Sequence, residues 1–432
     1  MEALIQPHPL TGSVDAIPSK SMAHRLLICS ALASGITDLV CPTRSEDIDA
    51  TLQCLRSLGA PAMLTRTGMR MVPITVGGAR RSARLDVGES GSTLRFLLPI
   101  VAALGKGATI MGHGRLADRP LSPLDEQLRE HGVTISESGR FPLVVSGRLT
   151  GGTFHLPGNV SSQYVSGLLL AAPLLDETVD ILVSEPVESR AYIDLTVSAL
   201  ASFGVKVTEQ RIKDESGAYR VYSVSEAATF ESPGVCTVEG DWSNAAFWLA
   251  AGALGTEPLS VTGLDSQSRQ GDRAVMAALS LLGARMGRGR GIVAATRDAL
   301  RGRTIDVSGI PDLVPPLASV AAYASGSTRL ANAGRLRLKE SDRLVTVRDA
   351  LLALGGDARI EQDDLVIEGK PSLSGGTVDA AGDHRIAMMA AICAANAEGS
   401  STILGAQCVA KSYPSFFDDF RSLGGRVIEQ EG

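Results

Sequence analysis

Six times along the chain an apolar, helix-like segment runs up to a glycine and gives way to a strand-like one. Each stop has a Leu or Phe four positions before the glycine: Leu55 and Gly59, Leu128 and Gly132, Leu200 and Gly204, Leu279 and Gly283, Leu351 and Gly355, Phe420 and Gly424. Glycine takes the left-handed conformation just past a helix without the steric cost that a Cβ brings, so the pattern marks helix ends. One such glycine carries little weight. Six of them, roughly seventy residues apart, read as one supersecondary unit used six times, with function to be sought at the equivalent point of every unit.

A second element recurs in each unit, a short strand that turns into a helix of small residues. The copies are GSVDAIPSKSMAHRLLICSALASG, ARLDVGESGSTLRFLLPIVAALG, GTFHLPGNVSSQYVSGLLLAAPL, CTVEGDWSNAAFWLAAGALG, RTIDVSGIPDLVPPLASVAAYASG and GTVDAAGDHRIAMMAAICAANAEG. Each is followed by a strand rich in Thr, Val and Ile, such as ATIMG or STILGA. The unit is therefore βαβαββ, and its alternation of strand and helix predicts an α/β (α+β) fold of sheets flanked by helices. At 432 residues the chain exceeds what one core usually supports. The widest interval between stops, Gly204 to Gly283, holds the polar stretch TEQRIKDESGAYRVYSVSEAATFESPG. A boundary near its end, around Cys236, gives two domains of three repeats each. The first strand, read as Val14 to Ile17, has no full unit before it, and the last helix, Pro414 to Leu423, has only a strand after it. The two ends then complete one unit together, so the expected domains are 20–236 and 1–19 plus 237–432.

Composition narrows the partners. A net charge of −6 argues against nucleic acid or an anionic membrane as the main partner, so any basic site is local. The six cysteines form no CxxC pair and show no metal-ligand spacing, which reads as buried thiols in a reducing compartment and no metal site. No apolar run is long enough to span a membrane, and MEALIQPHPL has no basic start followed by an apolar core. The expected location is cytoplasmic.

The helix starts carry the chemistry. Unpaired N–H groups and a partial positive charge make a helix N-terminus a site for phosphate and carboxylate. Ser19, Lys20, Ser21 and Arg25 open the first small-residue helix, Gly91, Ser92 and Arg95 the second, and Ser161, Ser162 and Gln163 the third. Asp241, Asp312, and Asp383 with His384 and Arg385 hold the matching places in the second half. Ordinary N-capping accounts for the Ser and Asp residues. It does not account for Lys20, Arg25, Arg95 and Arg385, because a cation in a helix's first turn is unfavourable by a few tenths of a kcal/mol or more, roughly, without an anion between it and the N–H groups. Further cations, Arg119 in ADRPLSP, Arg335, Arg337, Lys339 and Arg343 around Glu340 and Asp342, and Lys411 in AKSYPSFF, stand before or at the start of the second helix of a unit. A solvated charged face is the bland reading of such runs. Their recurrence at equivalent positions points instead to a polyanionic small molecule.

The strings SKSMAHR, GESGSTLRFL, DRP, SSQY, ESRAYID, EGDWSNAA, IPD, LKESDR, GDHRIAM and AKSYPSFF stand in the order and at roughly the spacing of one family. Over nearly its whole length the chain resembles the enolpyruvylshikimate-phosphate synthases, the shikimate-pathway enolpyruvyl transferases. The resemblance implies two domains of three repeats that close on substrates held between them. It implies transfer of the enolpyruvyl group of phosphoenolpyruvate to the 5-hydroxyl of shikimate 3-phosphate with release of phosphate, by a monomer that needs no cofactor and no metal. Two anions must then be brought together, which calls for several fixed cations and helix N-termini. By resemblance, shikimate 3-phosphate is held by Lys20, Ser21, Arg25, Ser161, Ser162, Gln163, Ser189, Tyr192, Asp312 and Lys339. Phosphoenolpyruvate is held by Lys20, Gly91, Gln163, Arg119, Arg343, Arg385 and Lys411. Asp312 takes the proton from the attacking hydroxyl, and Glu340, helped by Lys20, Lys411 or His384, manages protonation at the methylene carbon.

Two departures stand out. Where the best-known members read Gly-Asn-Ala-Gly-Thr, this chain has GESGS with Glu89 and Ser90, and Arg335 stands where a member has asparagine before the Lys-Glu motif. Gly91 is retained, so the resemblance implies that glyphosate, which occupies the phosphoenolpyruvate place, inhibits. The UDP-N-acetylglucosamine enolpyruvyl transferases share fold and donor, yet carry a reactive cysteine before their Arg-Pro and a Lys-Asn pair at the first helix. Here the segments are GHGRLADRP and Lys20-Ser21. A non-catalytic anion-binding repeat protein would explain the cations but has no use for Asp312 and Glu340 among them.

Overall fold

The computed structural model describes residues 1–74, 82–137, 139–214 and 217–430. All six stop glycines lie in the left-handed region, with φ of 100° at Gly59, 91° at Gly132, 78° at Gly204, 100° at Gly283, 85° at Gly355 and 93° at Gly424. The hydrogen bonds explain the Leu or Phe. At five of the stops the residue after the glycine returns its N–H to the carbonyl of Leu55, Leu200, Leu279, Leu351 or Phe420, at 2.8 to 3.0 Å. All six Leu and Phe side chains are wholly buried. The pattern thus couples a helix-ending backbone closure to a core anchor.

The six glycines differ in how much space a side chain would find. Nothing lies within 4 Å of a Cβ built on Gly59, whereas one on Gly283 would stand 2.2 Å from the carbonyl oxygen of Ala299. Gly59→Ala is expected to cost only left-handed backbone strain, about 1–2 kcal/mol. Gly283→Ala is expected to cost distinctly more, since a backbone carbonyl must move. Thermal unfolding of the two variants measures the difference, and equal losses would show that space plays no part.

Among the described residues the strands form six four-stranded sheets, each with two parallel strands beside an antiparallel pair. The chain divides into two compact units, Lys20–Val238 and Met1–Ser19 with Glu239–Gly432. Reading each strand together with the helix that follows it fails at two places. Strand Gly12–Asp15 leads into helix Lys20–Leu32 but pairs with Leu259–Thr262. Strand Val235–Thr237 leads into helix Trp242–Leu254 but pairs with Thr37–Val40. The two passages of the chain between units exchange strands. The first of these strands also ends at Asp15 rather than Ile17. Ile17 instead gives its carbonyl to the N–H of Asp241 at 2.8 Å, and Pro18 has no N–H to continue a ladder. The ends of the chain do share a unit: strand Glu2–Gln6 is an inner strand, antiparallel to both Ser401–Leu404 and Arg426–Gln430.

The small-residue helices fill the cores. In the Lys20–Val238 unit, helices Gly91–Ala103 and Ser162–Ala171 pack together, and Gly167 is what lets them approach, since a Cβ there would meet the carbonyl oxygen of Arg95 at 2.3 Å. In the other unit, helices Trp242–Leu254, Val314–Ala321 and His384–Ala395 are buried along their whole length and pack on one another. A helix apolar all round belongs in an interior, so its polar chemistry is confined to its first turn. Cys29, Cys41, Cys54, Cys393 and Cys408 are buried and Cys236 is half-buried, all as free thiols. Among the described residues, no helix is long and apolar enough to cross a membrane.

Candidate functional site

The Lys20–Val238 unit gathers polar side chains at the starts of its buried helices. Lys20 opens its helix, and its ammonium pairs with Asp47 at 2.7 Å. Asp47 lies in the first turn of helix Glu46–Ser57. One turn further on, Arg25 is buried, with Nε donating to Thr196 Oγ1 at 2.7 Å, Nη1 to the carbonyl of Ser21 at 2.5 Å and Nη2 to the carbonyl of Tyr192 at 2.9 Å. Its guanidinium also lies over the Phe96 ring at 4.9 Å. Burial pulls its pKa down to about 10. Neutral acceptors of the protein itself therefore meet this cation at a helix start, where the sequence pattern points to an anion.

Arg95 and Arg119 close around Gly91. A Cβ on Gly91 would lie 2.5 Å from Arg95 Nη1 and 2.7 Å from both Nη1 and Nη2 of Arg119. The missing side chain is what brings two guanidinium groups onto one helix start. Arg95 donates to Gln163 Oε1 at 3.0 Å and to the carbonyl of Pro120 at 2.9 Å, while Gln163 Nε2 donates to Ser92 Oγ at 2.9 Å. Ser161 caps the Ser162–Ala171 helix by accepting from the N–H of Gln163 at 3.3 Å. Ser189 precedes helix Arg190–Ser202 with a φ of 52°. A left-handed, non-glycine residue carries roughly 1–3 kcal/mol of strain, which surrounding structure retains most often at functional positions.

The second unit holds a denser cluster. Asp312 lies in the Pro311–Leu313 turn that opens helix Val314–Ala321. Its Oδ1 accepts from Lys339 Nζ at 3.1 Å and Arg343 Nη1 at 2.9 Å, and its Oδ2 lies 3.4 Å from Arg385 Nη2. Arg343 opens helix Arg343–Ala353 and is 1% exposed. Besides Asp312 it pairs with Glu340 at 2.5 Å and, through Nε, with Asp383 at 2.9 Å. Burial alone would depress its pKa, but Asp383, Glu340 and Asp312 more than reverse that. Asp383 is fully buried and caps helix His384–Ala395. Burial opposes its charge, yet Arg343 holds its carboxyl below the usual range. Burial also lowers the pKa of Lys339, against the pull of Asp312. His384 is buried, Arg385 Nη1 donates to the carbonyl of Asp312 at 3.1 Å, and Lys411 donates to the carbonyl of Gly382 at 2.8 Å.

The whole-chain pattern fits this arrangement. The sequence pattern of the family described as EPSP synthase (3-phosphoshikimate 1-carboxyvinyltransferase) matches residues 4–420. The chain belongs to the EPSP synthase family. It is 39% identical over 429 residues to the 3-phosphoshikimate 1-carboxyvinyltransferase of Clostridium kluyveri, covering 98% of both chains. The corresponding protein of Clostridioides difficile is 37% identical over 436 residues, again with 98% of both chains covered. Among solved structures, the EPSP synthase of Acinetobacter baumannii superimposes with a TM-score of 0.80 at 26% identity over 99% of this chain and all of that one. The enolpyruvyl transferase NikO of Streptomyces tendae, at a TM-score of 0.75 and 18% identity, shares the fold.

Within the family's framework, the residues named from sequence fall into two groups, each inside one unit. Lys20, Ser21, Arg25, Gly91, Arg119, Ser161, Ser162, Gln163, Ser189 and Tyr192 belong to the first, and Asp312, Lys339, Glu340, Arg343, His384, Arg385 and Lys411 to the second. The sequence reading passes over Asp47, which pairs with Lys20, and over Thr196 and Ser166, whose hydroxyls accept from Arg25, the latter at 3.4 Å. It also passes over Asp272, which is buried, accepts from the Ser243 hydroxyl and has its pKa raised to about 6 by burial and by the charge of Asp312. A polar residue set among small apolar ones, as in QGDRAV, is the only signal the sequence offers for it.

Proposed function

We propose that the chain transfers the enolpyruvyl group of phosphoenolpyruvate to the 5-hydroxyl of shikimate 3-phosphate and releases phosphate, as a carboxyvinyltransferase. Family membership supports the reaction class. The observation that carries the assignment of roles is the Asp312 carboxylate held among Lys339, Arg343 and Arg385. A general base must reach the proton it removes, and a carboxylate fixed at a helix start by three cations has a defined position from which to do so.

In the proposed sequence the methylene carbon of phosphoenolpyruvate gains a proton while the 5-hydroxyl oxygen bonds to the adjacent carbon and gives its own proton to Asp312. The resulting tetrahedral adduct then loses phosphate as the methyl group returns a proton, restoring the double bond. Glu340, with Lys20, Lys411 or His384, handles the proton at carbon. Arg119, Arg343, Arg385 and Lys411 offset the charge of phosphoenolpyruvate around Gly91, Gln163 and Lys20. Ser21, Arg25, Ser161, Ser162, Gln163, Ser189, Tyr192 and Lys339 hold shikimate 3-phosphate. A cytoplasmic monomer closing its two domains on both substrates completes the reading.

Mixing the protein with both substrates is expected to release phosphate at a rate that glyphosate suppresses in competition with phosphoenolpyruvate. Binding of both substrates without any phosphate release would instead favour a non-catalytic anion binder.

A further inference from the structure

Three helices of the Lys20–Val238 unit are tied together by side chains that hydrogen-bond to one another rather than to the charged groups described above. His24 Nδ1 lies 2.7 Å from Thr51 Oγ1, Thr51 Oγ1 lies 2.6 Å from Thr93 Oγ1, and Thr93 Oγ1 donates to Ser90 Oγ at 2.8 Å. All four residues are buried, none with more than 2% of its surface exposed. Each comes from an element that carries part of the site. His24 lies one turn after Lys20, Thr51 is on the helix that bears Asp47, and Ser90 caps the helix that begins with Gly91.

Counting hydrogens fixes the direction of the chain. A hydroxyl has one hydrogen. That of Thr93 goes to Ser90, so the hydrogen between the two threonines belongs to Thr51. Thr51 must then accept from His24, which places the imidazole proton on Nδ1. Its Nε2 is buried without a hydrogen-bond partner among the described residues. A protonated ring would leave a buried N–H unmet there, and burial, helped by Lys20 and Arg25, holds the ring's pKa well below its ordinary value. Ser90 also accepts the N–H of Thr93 at 3.2 Å, so the last member of the chain is the cap of the Gly91 helix itself.

We propose that the His24–Thr51–Thr93–Ser90 chain is a positioning element that sets the Gly91 helix start against Lys20, and thereby tunes the affinity for phosphoenolpyruvate. The inference rests on the enolpyruvyl-transfer reading. It concerns phosphoenolpyruvate first, because the chain ends on Ser90, the cap of the Gly91 helix, and includes none of Ser161, Ser162, Ser189 or Tyr192.

Thr51→Val keeps the shape and breaks the chain in the middle, and Thr51→Ser restores the hydroxyl. The KM for phosphoenolpyruvate is expected to rise about tenfold in Thr51→Val, given how steeply binding and rate respond to small misplacements. The KM for shikimate 3-phosphate should stay within about twofold on the same argument, and Thr51→Ser should return both near the unaltered values. An unchanged KM for phosphoenolpyruvate, an equal rise in both KM values, or Thr51→Ser behaving as Thr51→Val would each overturn the proposal. Should Thr51→Val not fold, Ser90→Ala, which removes only the end of the chain, decides by the same split. The unaltered protein measured alongside separates the two failures. No phosphate from it overturns the enolpyruvyl reading and this inference together, whereas normal phosphate release without the split overturns this inference alone.

Discussion

Replacing Asp312 by Asn is expected to lower turnover by a factor on the order of a hundred or more while leaving both substrates bound. The side chain keeps its size, so Lys339 and Arg343 still find an amide oxygen where they met Oδ1, Arg385 keeps the backbone carbonyl of residue 312, and Arg343 keeps Glu340 and Asp383 as partners. What is lost is a group able to take up a proton from the attacking hydroxyl. Removing one negative charge from among three cations should also hold anionic ligands at least as tightly as before. Single-turnover phosphate release, with ligand titrations alongside, separates the two effects. A turnover near that of the unaltered protein would remove Asp312 as the base.

The largest loss of stability is expected at Arg343, where Arg343→Met keeps most of the volume and none of the charge. Asp383 has no exposed surface, and Arg343 provides its ion pair. Taking one partner from a buried pair leaves an uncompensated charge in a medium that cannot solvate it, at a cost of about 3–5 kcal/mol. Arg343→Lys should recover only part of this, because one ammonium cannot replace a planar fork that reaches Asp312, Glu340 and Asp383 together. Denaturant unfolding of the Met and Lys variants tests the point. A loss below about 1 kcal/mol for Arg343→Met, the size of an exposed pair, would show that the cluster contributes little to stability.

The repeat was legible because its signals are local. Each stop needs a residue at positive φ and a buried anchor one turn earlier, and both leave a fixed spacing in the sequence. The strand exchange was not legible. Val14 and Val235 each sit in a short strand ahead of a small-residue helix, and nothing in the composition of either says which sheet it will join; pairing is settled by contacts far away in the chain. The candidate site divides in the same way. Lys20, Gly91, Asp312 and Arg343 stand in motifs, whereas Asp47, Ser166 and Thr196 look like ordinary polar positions on helices until Lys20 and Arg25 are seen resting on them. Arg25 also bonds carbonyls and a hydroxyl of its own unit, partners that no helix-start pattern foretells.

The inner strand Glu2–Gln6 gives the molecule an order of assembly. Topologically, Lys20–Val238 is an insertion into the other unit, whose own residues lie on both sides of it. On a ribosome the inserted unit is finished first and can form its core while the opening strands, already made, have no partners to pair with. Strand Gly12–Asp15 waits for Leu259–Thr262, and Glu2–Gln6 waits for the very last strand, Arg426–Gln430. The second half of the chain therefore cannot be cut free as an autonomous piece. Any fragment beginning at Glu239 lacks the middle of one sheet and the edge of another, and a rearranged gene that joins the old ends would make that half contiguous.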